Sequence, residues 1–101
     1  MLTSKQRAQL RTLAAAEDTI VIIGKGGITE NVIIQMNDAL KARELVKGRV
    51  LENSLLTARE AADALGETCR ADVVQVIGSK FVLFKRNEQK PKIELVKNKK
   101  K

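Results

Sequence analysis

Apolar and polar positions along this chain change period several times, and each change marks an element. Thr3-Ser4-Lys5-Gln6 sets a threonine three residues before a glutamine, the reciprocal capping pattern that opens a helix. Leu10, Leu13 and Ala14 form that helix's apolar stripe, which is expected to end before Glu17-Asp18. Arg7 and Arg11, four apart, are expected on its exposed face. Residues 19–23 are a short, mostly β-branched run bounded by glycine, which reads as a buried strand. Gly24-Lys25-Gly26-Gly27 ends it, and Thr29 offers the next N-cap. Val32, Ile33, Met36 and Leu40 follow at helical spacing, with Lys41 and Arg43 closing the helix where cations suit its dipole.

Period two then returns. In residues 45–51, Val46 and Val50 face one way and Lys47 and Arg49 the other, predicting a half-exposed strand with a basic outer face. Thr57-Ala58-Arg59-Glu60 is a second capping box. Behind it Ala58, Ala61, Ala62, Leu65 and Cys69 make one continuous helical stripe. Residues 73–77, a turn at Gly78-Ser79 and residues 81–85 predict a hairpin, with Lys80 leaving the turn length open. The order α-β-α-β-α-β-β predicts an α/β fold, a four-stranded mixed sheet backed by helices with right-handed crossovers. From Arg86 onward no periodicity is visible, so residues 1–86 are read as one domain and 87–101 as a basic mobile tail.

Composition removes most chemistry. The 101 residues contain no histidine, tryptophan or tyrosine, one cysteine and two phenylalanines. An imidazole base, a Ser-His pair, a His-ligated metal and a Cys-based zinc site are all excluded, so neither a catalytic residue, a metal nor a cofactor is expected. A single cysteine and the lack of a signal peptide or a long apolar run point to a cytoplasmic protein that makes no use of a membrane. The net charge of +7 is polarised: residues 85–101 hold eight basic and two acidic side chains, while residues 51–84 hold three and five. Such polarity suggests a polyanionic partner.

A strand that turns through glycines into a helix aims backbone N–H groups and a dipole end at one spot, which suits a phosphate. Lys25 adds a charge at the tip, and Glu30 in the first helical turn competes for the same end. Gly-x-x-Gly loops clamp single-stranded nucleic-acid backbones, although two glycines also serve a plain tight turn. A nucleotide-hydrolase loop fits poorly because no Gly-Lys-Ser/Thr exists, and a dinucleotide fingerprint lacks its last glycine; nucleotide binding with magnesium would be needed to support an enzyme of that kind.

Leu2-Thr3-Ser4-Lys5-Gln6-Arg7, Ile23-Gly24-Lys25-Gly26-Gly27-Ile28-Thr29-Glu30, Arg43-Glu44-Leu45-Val46-Lys47 and Val74-Gln75-Val76-Ile77-Gly78 together resemble the YhbY-type proteins. These are the free-standing form of the CRM (chloroplast RNA splicing and ribosome maturation) domain. The resemblance covers residues 1–86. It implies a fold like the C-terminal domain of translation initiation factor three, with strand order 1-2-4-3 and an antiparallel fourth strand. It also implies RNA binding and association with precursors of the large ribosomal subunit. The family's conserved loop maps onto Gly24, Lys25, Gly26 and Gly27. Gly48 stands where the family usually has a β-branched or larger residue, which implies a weaker second strand. Phe84-Lys85-Arg86 replaces a common Tyr-Arg ending.

The expected function is therefore RNA binding in large-subunit assembly, with no small-molecule substrate. Its contact set is Gly24, Lys25, Gly26, Gly27 and Thr29 in the loop, with Arg7, Arg11, Lys47, Arg49, Lys85 and Arg86 around it. The rival is a protein–protein adaptor that uses the open sheet face, with incidental RNA affinity.

Overall fold

The computed structural model describes residues 2–95. Seven elements follow in the order α1 (Ser4–Ala14), β1 (Thr19–Ile23), α2 (Glu30–Arg43), β2 (Leu45–Val50), α3 (Ala58–Cys69), β3 (Asp72–Ile77) and β4 (Lys80–Phe84). Both capping boxes form: Thr3 and Gln6 exchange backbone–side-chain hydrogen bonds at 3.1 Å, and Thr57 and Glu60 do so at 2.9 and 3.1 Å. The N-terminal N–H groups they engage would otherwise lack partners.

The sheet has the order β1-β2-β4-β3. β1 and β2 are parallel, whereas β4 is antiparallel to both β2 and β3. Gly78-Ser79 is a two-residue turn in which Gly78 takes φ +58°. Lys80 belongs to β4, which resolves the turn length left open by the sequence.

Alternation along β2 and β4 divides the core between the two sheet faces. Val46, Val50, Phe81 and Leu83 pack with Met36 and Leu40 of α2 and with the alanine stripe and Leu65 of α3. Leu45, Val82 and Phe84 point the other way and pack with Leu10 and Ala14 of α1 and Val74 of β3. Two helices thus pack across one face, and α1 covers only one end of the other. The remaining half-face stays open, and this opening positions the candidate site.

Two expectations take on detail here. At Gly48, where a weaker strand is expected, β2 keeps its pairing with β4 over residues 45–49, and Phe81 fills the space above the glycine. The boundary at residue 86 is not where contact with the domain stops. Asn87, Lys92 and Ile93 donate backbone N–H bonds to the buried Glu44 carboxylate, and Ile93 and Leu95 pack against the α1 cluster. The remainder of the expected tail, residues 96–101, lies outside the described residues.

Candidate nucleic-acid interface

β1 is parallel to β2 and hands the chain to α2 through the glycine loop. The Gly27 N–H donates to the Gly24 carbonyl at 3.0 Å, closing a turn whose tip is the exposed pair Lys25 and Gly26. Of the loop glycines, Gly27 alone takes a left-handed conformation, at φ +72°, where a side chain is strained. Thr29 caps α2, its Oγ1 accepting the Val32 N–H at 3.2 Å. That oxygen is therefore engaged with the helix, and Glu30 occupies the first turn.

Neighbouring loops reach the same edge of the sheet. The Leu51 N–H donates to the Ile23 carbonyl and the Val50 N–H to the Ser79 carbonyl, both at 2.8 Å. The glycine loop, the loop 51–57 and the hairpin turn consequently stand side by side. An open cleft of about 840 Å³ lies between Arg49, the loop 51–57 and Gly78-Ser79. This edge lies at the carboxyl ends of β1 and β2, where α2 and α3 begin, the edge at which open α/β sheets bind ligands.

Register sets the open face beside this edge. Ile22 pairs with Arg49, Arg49 with Lys80 and Lys80 with Ile77, so these four residues form one row across the four strands. All four are exposed, the two isoleucines by 50% and 63%. The next row holds Lys47, Val82 and Gln75, the first and last half-buried. Lys25, Lys47, Arg49 and Lys80 form no ion pair among the described residues. Reading the sequence alone misses Lys80 as a contact residue, because it leaves that residue's strand membership unsettled. The signal that could have found it is the alternation Lys80, Val82, Phe84, which repeats on β4 the alternation of β2.

The structure separates the remaining expected residues from this edge. Arg7 is half-buried, and its guanidinium donates to the Val73 carbonyl at a bulge in the edge strand β3. The expectation that it shares Arg11's exposed face is corrected: Arg7 is tied to the sheet, and Arg11 is exposed. Lys85 and Arg86 follow β4 at the α1 end, opposite the glycine loop. The Lys85 N–H donates to the Glu44 carbonyl at 2.9 Å, and Arg86 borders a cavity of about 530 Å³ shared with Gln6 and residues 91–95. The expected surface thus divides between two ends of the sheet.

Phe81 and Phe84 are buried, so neither ring is available for base stacking. Cys69 is buried among the α3 stripe, and this burial raises its thiol pKa more than the Lys85 charge lowers it. Among the described residues no cluster of acidic or cysteine side chains could hold a metal ion, and no helix is long and apolar enough to cross a membrane.

Comparison with known proteins gives a consistent picture. A Bacillus subtilis protein named "Probable RNA-binding protein YqeI" is 42% identical over 95 residues, covering 94% of this chain and 99% of that protein. A Haemophilus influenzae protein named "RNA-binding protein" is 33% identical over 94 residues, covering 93% and 94%. The solution structure of SAV1595 from Staphylococcus aureus, described as "a putative RNA binding protein", superposes with a TM-score of 0.79 at 47% identity. It covers 95% of this chain and all of that one. The model of the CRS1 / YhbY (CRM) domain matches residues 2–85, and the chain belongs to that family.

Proposed function

We propose that this protein binds RNA, that its target is ribosomal RNA in precursors of the large subunit, and that it acts in assembly by binding alone. The observation that supports RNA as partner is the meeting of the glycine loop, at one sheet edge, with the open face beside it, which carries Lys47, Arg49 and Lys80; these and Lys25 form no ion pair among the described residues. Phosphates suit such a surface because backbone N–H groups and cations both favour them. Curated relatives named as RNA-binding proteins support the same partner. Ribosomal RNA is selected by the family resemblance, since phosphate contacts are common to every RNA. The basic residues at the α1 end and in the C-terminal stretch add non-specific attraction.

Sedimentation tests the role. In a gradient-fractionated lysate at low salt the protein should travel with immature large subunits, be scarce on translating ribosomes and be released as salt rises. Retention at the top of the gradient, or co-migration with small subunits alone, would end the assembly role. Binding that resists salt and follows a protein partner would favour the adaptor.

A further inference from the structure

The open half-face carries more than charge. Between β2, β4 and β3 lies a notch of about 160 Å³, lined by Lys47, Gln75, Ile77, Lys80, Phe81 and Val82. Its volume is close to that of a cavity of about 150 Å³ known to hold a benzene ring. Val82 and Gln75 are register neighbours, as are Lys80 and Ile77, so apolar and polar walls alternate around one ring-sized space. Gln75 is half-buried, and among the described residues its side-chain amide makes no hydrogen bond and stays open to solvent. It therefore offers one donor pair and one acceptor to whatever enters.

We propose that this notch receives one unpaired nucleobase of the bound RNA, with Gln75 reading the base edge and Lys47 and Lys80 holding the adjoining phosphates. The inference rests on the RNA-binding reading and specifies its substrate as RNA with unpaired nucleotides. Three observations favour a splayed base over a paired helix. Ile22 and Ile77 flank Arg49 and Lys80 in a row about 14 Å long, taking roughly 4.8 Å between strands. Duplex phosphates would satisfy the cations and leave the isoleucines in water, whereas a base and its ribose offer them apolar surface. The face of a four-stranded sheet also cannot enter the deep, narrow major groove of paired RNA, while unstacked bases are read on their exposed edges. Finally, the guanidinium plane of Arg49 provides a stacking surface for a neighbouring base, which this chain's buried phenylalanines cannot.

The test compares two RNAs of equal length, one hairpin with a purine bulge and one fully paired. Fluorescence anisotropy is measured with the parent chain, Gln75→Val and Gln75→Glu. Valine keeps strand propensity, glutamate keeps the shape, and melting curves check that both variants fold. The parent should prefer the bulged RNA. Each variant should bind it about tenfold more weakly, the size of one side-chain-to-base interaction, with Gln75→Val binding the paired RNA as the parent does. If both folded variants discriminate between the RNAs as the parent does, the nucleobase site is wrong while RNA binding stands. If the parent binds neither RNA at low salt, the RNA-binding reading falls and takes this inference with it.

Discussion

Phe81 lies over Gly48 across the β2–β4 ladder, its ring occupying the space where any other residue would carry a side chain. A Cβ built at Gly48 would stand 2.7 Å from Phe81 Cε1 and 3.0 Å from Cε2. The two residues are register partners, and Phe81 is among the most completely buried side chains. The glycine in mid-strand, ordinarily a weak point, is the socket for one of the two buried phenylalanine rings. Gly48→Ala should cost about 1–3 kcal/mol through overpacking, read as a lower denaturation midpoint. Phe81→Leu in the same background should recover part of that loss, because it removes the obstructing ring. Loss of equal size in both backgrounds would mean that the ring is not the cause.

Glu44 should be worth more to stability than its acidic, loop-adjacent position suggests. It caps α2 at φ +68°, is fully buried, and accepts the N–H groups of Asn87, Lys92 and Ile93 at 2.7, 2.8 and 2.7 Å. Bonds to an ionised acceptor are the stronger kind, so Glu44→Gln should cost about 2–4 kcal/mol in chemical denaturation. Truncation after Arg86 should lower stability as well, and the glutamine substitution should then cost much less. Simple additivity would show that Glu44 acts independently of the C-terminal segment.

Replacing Lys25 and Gly26 together by aspartate should abolish most RNA affinity with little change in melting temperature. Both positions are exposed, and neither has the positive φ of Gly27. Two carboxylates would then repel the phosphate expected there. Gly27→Ala separates the structural role from the charge, since its φ of +72° should cost about 1 kcal/mol without altering charge. Parent-like RNA binding by the folded double variant would refute the phosphate clamp.

Removing residues 96–101 deletes four lysines. The plot of log affinity against log salt should flatten by about 0.7–0.9 for each phosphate that the shortened chain no longer engages. An unchanged slope would show that these lysines do not touch RNA.

The Cys69 thiol should alkylate slowly in the folded protein at pH 8 and rapidly after denaturation. Burial raises its pKa, the Lys85 charge opposing this only in part. Because the folded-state pKa lies above the unfolded one, this group's contribution to stability is complete below the unfolded thiol's pKa. It is lost as pH rises through the folded value. Substituting Ala for Cys69 should remove that alkaline loss, and denaturation midpoints measured across the alkaline range would show it.

Local patterns carry their own physics, which is why so much of this fold is legible in one chain. The Thr-x-x-Gln and Thr-x-x-Glu boxes satisfy orphan N–H groups within four residues, and both form. Residues 19–23 are a strand and Gly24–Gly27 a turn for reasons contained in those residues. The glycine loop and its lysine therefore stand out in the linear chain. Contacts between distant segments obey no such local rule. Whether Arg7 is free depends on a bulge 66 residues away, and whether residues 87–95 dock depends on a carboxylate more than 40 residues earlier. The row of Ile22, Arg49, Lys80 and Ile77 exists only once three strand pairings set their register. A slip of one residue would turn each strand's side chains to the other face, so no single segment encodes that surface.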